Sequence, residues 1–274
     1  MPERIKVYMC EISVIMGVYN ASNYDTLISA VNSILNQSFK TFELIICDDG
    51  STNETYEVLK TLENRDDRIR LIENDKNSGL AYSLNRCISM ANGKYIARMD
   101  ADDISLPNRL EKQIRFLKEN PEYDFVGCNV FLIDANGRWG KRYHKDKIEK
   151  KDFLFNSPFT HPTIMIKKHV IDAVHGYRVE KVTRRAEDYE LWMRLYANGF
   201  RGYNLQDFLF EFREDKNTFA RRKYKYRLDE VVVRYRGFSE LNLLPLGFLY
   251  VVKPLIVGLI PQKFLKYIRD KRIS

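Results

Sequence analysis

Apolar residues follow two alternating rhythms along the first hundred positions. Residues 12–18 (ISVIMGV) form a short, β-branched run, the pattern of a strand buried on both faces. Leu27, Ile28, Val31, Ile34 and Leu35 then recur at helical spacing, which predicts a helix ending near Asn36. A second strand is predicted from Phe42 to Cys47, followed by the turn Asp48-Asp49-Gly50-Ser51 and a helix to about Glu63. Ile69 to Ile72 reads as a third strand. Leu80, Leu84, Cys87, Ile88 and Ala91 line one face of a helix that Asn92-Gly93 stops, and Tyr95 to Met99 is a fourth strand. Strands alternating with helices of this length imply βαβ units, and hence an α/β fold with a mostly parallel sheet covered on both sides. In such folds ligands bind outside the carboxyl ends of the strands.

The polar clusters obey that rule. Tyr19-Asn20 follows the first strand, Asp48-Asp49 the second and Asp100-Ala101-Asp102-Asp103 the fourth. Three carboxylates within four positions repel one another unless a hard cation with oxygen ligands sits among them, which points to magnesium or manganese. A plainer reading is a helix start, with Asp103 or Ser105 capping the helix that Pro107 opens and that runs through Leu110, Ile114 and Leu117. Capping accounts for one carboxylate of the three. Asp48-Asp49-Gly50-Ser51 is an ordinary turn sequence, but a carboxylate at a strand's carboxyl end is placed to accept the imide N–H of uracil. The Asn77-Ser78-Gly79 turn offers backbone N–H groups to a donor phosphate, although helix capping explains it equally well.

Glu187-Asp188 opens an apolar helix that Gly199 closes. Leu191, Trp192 and Leu195 lie three, four and seven positions after Asp188, so that carboxylate is expected on the inward face. An acid in a first turn is favoured by the helix dipole, yet a desolvated one has the raised pKa of a general base. His161, before the apolar stretch Ile164 to Ile166, is a second candidate, though a lone histidine is more often structural. Trp192 reads as core.

Composition narrows the class. A 274-residue chain that is 45% hydrophobic can bury one large core or a core with a small appendage. Cys10, Cys47, Cys87 and Cys128 stand apart in apolar surroundings, as expected of reduced thiols in a cytosolic protein. The N-terminal stretch lacks the features of a signal peptide.

Taken in order, ISVIMGVYN, the DDGS turn, NSGLAYSLN, YIARMDADD, HPTIMIKK and AEDYELWMRL resemble family 2 glycosyltransferases, over about residues 10–200. The nearest look-alikes are bacterial enzymes of capsular, exopolysaccharide or O-antigen repeat-unit synthesis. The resemblance implies the GT-A fold, an inverting mechanism, a UDP-sugar donor and a divalent Mn2+ or Mg2+. It implies that Asp102 is the direct metal ligand with Asp100 as the first acid of the DxD motif. Gly17, Val18, Tyr19, Asn20, Asp48, Asp49, Gly79 and Ala101 would line the donor, and Asp188 would be the catalytic base. His161, Glu187 and Trp192 are candidates for the acceptor side. Val18 departs from the proline common in relatives before the Tyr-Asn pair.

The net charge of +8 sits in the C-terminal quarter, whose basic residues include Arg221, Arg222, Lys223, Lys225 and Arg227. The apolar stretch Leu241 to Ile260 and the basic tail Lys263 to Arg272 follow. Asn242, Pro245, Lys253 and Pro254 interrupt that stretch, which favours an in-plane or re-entrant segment over a span. The alternative is a helical pair closing the catalytic domain. Residues 1–215 are therefore expected to form the catalytic domain, with a nucleotide-sugar half to about 103 and an acceptor half after it. Residues 216–274 are expected to form a helical region on an anionic membrane surface, the cytoplasmic face where a polyprenyl-diphosphate-linked acceptor resides. Nucleic-acid binding fits the charge but leaves the apolar segment unexplained. Two rival functions are a sugar nucleotidyltransferase, which needs a glycine-rich loop where this chain has GVYNAS, and a catalytically silent membrane- or polysaccharide-binding scaffold.

Overall fold

The computed structural model describes residues 10–214 and 224–260. The first half follows the hydrophobic pattern closely, as β1 (Ile12–Val18), α1 (Tyr24–Leu35), β2 (Phe42–Asp48), α2 (Thr55–Glu63), β3 (Ile69–Glu73), α3 (Leu80–Met90) and β4 (Tyr95–Met99). Then come β5 (Ile104–Ser105), α4 (Arg109–Glu119), β6 (Phe125–Asp134), β7 (Gly137–Arg142), β8 (Met165–Lys167), α5 (Lys168–Ala173), α6 (Glu187–Ala197) and β9 (Gly202–Arg213). The chain continues through α7 (Lys225–Glu240) and α8 (Phe248–Leu259), and His161–Thr163 forms a short 3-10 turn.

One sheet carries these strands in the order β3-β2-β1-β4-β8-β6-β9-β5, with β7 paired to β6. Pairing is parallel from β3 to β4, turns antiparallel at β8, and is parallel again between β6 and β9. Most of the paired length is parallel, and helices cover both faces of the sheet, the α/β arrangement expected from the sequence. Side chains alternate across it. Ile12, Val14, Met16 and Val18 of β1 pack with residues of α1, α2 and α4 in one apolar cluster. Ile15 faces the other cluster, with residues of α3, α6 and α7.

The C-terminal stretch divides into two helices. Val233, Phe238, Leu241 and Val251 join the apolar cluster that contains Trp192. A Cβ on Gly237 would stand 2.4 Å from Met193 Sδ, so α7 approaches α6 closely at that point. Twelve residues of α8 extend about 18 Å, well short of a bilayer core. No helix among the described residues is long and apolar enough to cross a membrane. α7 packs against α6 and α8 packs against α7, while the outer face of α8 stays exposed. Arg221, Arg222, Lys223 and the tail from Lys263 to Arg272 lie outside the described residues.

Candidate active site

Asp100, Asp102 and Asp103 emerge from the carboxyl end of β4, and one ligand oxygen from each lies within 4.8 Å of the others. They do not cap a helix. α4 begins at Arg109 after Asn108, and no side chain caps it. Asp103 is buried; its Oδ1 accepts the backbone N–H of Arg213 at 2.6 Å, while Oδ2 has no hydrogen-bond partner among the described residues. Burial, then the charges of Asp100 and Asp102, push the Asp103 carboxyl well above its usual range. Asp102 reaches solvent at the rim, yet partial desolvation and Asp100 raise its carboxyl too. Crowded oxygens with one orphaned buried acceptor are the donor set of a hard divalent cation, so these residues fit Mn2+ or Mg2+.

Arg98 completes this cluster and went unremarked in the sequence reading. It is 3% exposed and in ion-pair contact with Asp100. Its charge also lowers the carboxyl of Glu187 and the imidazole of His161, so it acts on both groups of candidate residues. The available signal was a cation inside an apolar strand, since a buried arginine requires a partner.

Asp48 ends β2 and Asp49 follows it, two strand spacings from β4, or roughly 10 Å. Asp48 accepts from the backbone N–H and the hydroxyl of Ser51 at 2.9 and 2.5 Å. Asp49 accepts from Asn74 Nδ2 at 2.6 Å and from the backbone N–H groups of Ser78 and Gly79 at 2.9 and 2.8 Å. The N–H groups of that turn therefore hold Asp49 rather than standing free for a phosphate, which corrects the expectation for Gly79. Gly50 joins the two features. Its φ is +67°, and a Cβ there would lie 2.6 Å from backbone atoms of Lys76.

The β1 loop lies beside this turn. Val18 buries its side chain and offers its carbonyl to the Asp49 N–H at 2.7 Å. Tyr19 is 47% exposed, and Asn20 accepts the Thr52 N–H at 2.8 Å. Gly17 keeps β1 close to α3, because a Cβ would meet Leu80 Cδ1 at 2.9 Å. Ala101 is half-buried between the acids.

Glu187 and Asp188 form the first turn of α6 and are half-buried. Glu187 keeps Oε2 buried without a hydrogen-bond partner among the described residues, and burial followed by the Asp188 charge raises its carboxyl. His161 Nε2 lies 2.7 Å from the Tyr177 hydroxyl, and burial holds the imidazole well below its usual range, so it is neutral. Trp192 is 1% exposed and stacks on Phe125 with ring centroids 5.4 Å apart. This burial fits the core reading of Trp192 and leaves it little exposed surface for an acceptor.

The profile of the family described as glycosyl transferase family 2 matches residues 13–185. The chain belongs to glycosyl transferase family 2. This glycosyltransferase is 42% identical over 264 residues to EpsE of Bacillus subtilis, a protein named as a glycosyltransferase, covering 96% of this chain and 94% of the relative. It is 35% identical to the O-antigen biosynthesis glycosyltransferase WbnJ of Escherichia coli, over 76% of this chain and 81% of that one. It is 30% identical to WfgD of Escherichia coli, a UDP-Glc:alpha-D-GlcNAc-diphosphoundecaprenol beta-1,3-glucosyltransferase, over 78% of this chain and 81% of that one. Staphylococcus aureus TarS 1-349 in complex with UDP-GlcNAc shares the fold with a TM-score of 0.66 at 18% identity, covering 82% of this chain and 66% of TarS 1-349. The mannosyltransferase PcManGT of Pyrobaculum calidifontis, in complex with GDP-Man and Mn2+, gives 0.61 at 17% identity, covering 90% and 69%. For the transferase, then, the fold gathers an acid cluster of cation-ligand character, and the buried Arg98 beside it also acts electrostatically on the partly desolvated Glu187.

Proposed function

We propose that this glycosyltransferase moves a sugar from a UDP-sugar to an acceptor hydroxyl with inversion, in the synthesis of a bacterial surface polysaccharide. The acceptor is a saccharide on a polyprenyl diphosphate, the substrate class in the name of WfgD. The observation that carries the reading is the gathering of Asp100, Asp102 and Asp103 at the end of β4, one strand from the β1 loop that precedes the Asp48–Ser51 turn.

Asp100 and Asp102 would hold Mn2+ or Mg2+, with Asp103 behind them. When bound, the cation supplies charge neutralisation for the departing diphosphate. Gly17 to Asn20, Asp48 and Asp49 receive the nucleoside. Asp49 already accepts three hydrogen bonds and retains acceptor capacity for one more, the uracil imide. A neutral hydroxyl is a poor nucleophile near pH 7, so Asp188 removes its proton as the oxygen attacks the anomeric carbon. A single attack opposite the leaving group inverts the configuration, and an α-linked donor yields a β-linkage.

The protein works at the cytoplasmic face of the membrane. Support comes from Leu249, Ile256 and Leu259 of α8, which lie seven and three positions apart on one face and are 76%, 59% and 76% exposed. Metal-dependent release of UDP tests the enzymatic core. Asp102→Ala should abolish it, and a variant with undiminished Mn2+-stimulated release would leave the reading without its cation site.

A further inference from the structure

A cleft of about 620 Å³ opens between the first turn of α3 and the segment leading into α6. One wall is the turn Asn77 to Gly79. Lys181, Arg184 and Arg185 line the other, and Glu187 lines the same space. Cations nearby are already neutralised: Arg178 and Arg194 pair with Glu190 at 3.0 and 2.9 Å, and Arg236 pairs with Glu180 at 2.8 Å. Lys181, Arg184 and Arg185 are exposed, and none of them forms an ion pair with a described residue.

The two walls differ in what they offer an anion. On the α3 side, the N–H groups of Ser78 and Gly79 are spent on Asp49. Only the opposite wall therefore carries positive charge to offer an anion. Arginine suits a phosphate because its planar fork donates two parallel hydrogen bonds. Arg185 also has φ +76°, a left-handed conformation uncommon outside glycine, and its backbone N–H favours the ionised form of the neighbouring Glu187.

We infer that Lys181, Arg184 and Arg185 form a diphosphate-binding wall of this cleft. The inference rests on the proposed transferase reaction, both substrates of which carry a diphosphate. Because Glu187 lines the cleft beside Asp188, a sugar attached directly to a diphosphate held there would present its hydroxyls to that acid pair. The Arg236–Glu180 ion pair ties the basic segment to α7, which packs against α8. That connection couples the wall to the helical pair that the proposed function sets against the membrane.

The test is calorimetric binding of inorganic pyrophosphate, geranyl diphosphate and UDP with Mn2+ to the full chain. It compares the wild type with R184Q/R185Q and with K40Q/R65Q, which removes equal charge at exposed positions outside the cleft. The wall predicts at least tenfold weaker geranyl diphosphate binding in R184Q/R185Q and little change in K40Q/R65Q. Loss confined to geranyl diphosphate and pyrophosphate assigns the wall to the acceptor; equal loss for UDP assigns it to the donor. Unchanged binding of all three ligands, or equal loss in the control, overturns the inference. UDP binding that ignores Mn2+ in the wild type would instead count against the transferase reading, leaving the pyrophosphate comparison to judge the wall.

Discussion

The guanidinium of Arg98 touches the carboxylate of Asp100 from inside the sheet, so one buried cation opposes three clustered acids. Even with the half-buried Arg213 at the rim, two positive charges leave the three ionised carboxylates net negative, which is the condition for recruiting a divalent ion. Arg98→Met should lower the stability of the metal-free protein by about 1–3 kcal/mol, less than for a fully buried pair because Asp100 is partly solvated. Thermal melts with and without Mn2+ check this. The variant should melt lower without metal and gain more from Mn2+ than the wild type does, and an equal gain in both would detach Arg98 from the cation site.

The acid cluster sets a pH dependence of definite sign. Asp102, Asp103 and Glu187 all have carboxyls raised by burial and like charge. A raised folded-state value means that the folded protein binds these protons more tightly than the unfolded chain does. Their contribution to stability is therefore full below the usual values of 3.8 and 4.5 and is lost as pH rises through the raised ones. Divalent binding requires the ionised forms, so the rise in Tm on adding Mn2+ should grow between pH 5 and pH 7.5. Differential scanning calorimetry at the two pH values reads it, and a metal effect larger at pH 5 contradicts the assignment.

Glu187 and Asp188 adjoin in sequence, and the proposed mechanism gives them separable roles. Asp188→Asn should leave UDP binding intact and reduce transfer by about 10²–10⁴-fold, the range of a lost general base. Glu187→Gln removes a buried carboxylate with an unpartnered oxygen, so it should keep or raise the melting temperature. Single-turnover transfer separates them. Full transfer by Asp188→Asn would move the base to another residue, with Glu187 the first to examine.

Gly50 is the point where the turn after β2 touches the chain leading into α3. Gly50→Ala adds a Cβ at 2.6 Å from Lys76 backbone atoms in a left-handed conformation, which no side-chain movement relieves. A loss of roughly 1–3 kcal/mol is expected, with weaker UDP binding because Asp49 moves with the turn. Denaturant unfolding and UDP titration measure the two effects. Unchanged stability would show that the turn has room to shift.

Much of this arrangement was legible in the chain. Strand and helix periods alternate cleanly from Ile12 to Met99, and each acidic turn follows a strand, so the sheet edge could be drawn from residues alone. What escaped were the partners that topology supplies. Asp49 reads as a free acid until Asn74, Ser78 and Gly79 arrive from 25 to 30 positions away. Arg98 looks like an interruption of an apolar strand, and only the fold shows Asp100, Glu187 and His161 within its reach. Trp192 shares a helical face with Asp188, but that face turns into the core beneath Phe125. Helical spacing gives the direction of a side chain and not the depth at which it ends.

The outer face of α8 sets the last prediction. Leu249, Ile256 and Leu259 are exposed on a helix whose opposite side packs through Val251 and Pro254, and residues 241–260 contain no acid. Water is a poor solvent for such a face, whereas the acyl boundary of a bilayer accepts it. Replacing the three residues with serine removes several methylenes that the bilayer would bury and should weaken binding to phosphatidylglycerol vesicles by roughly tenfold or more. Because the changed side chains face outward, the melting temperature and Mn2+-dependent UDP release should stay at wild-type levels. Vesicle co-sedimentation provides the measurement, and equal sedimentation of variant and wild type would assign α8 to packing alone.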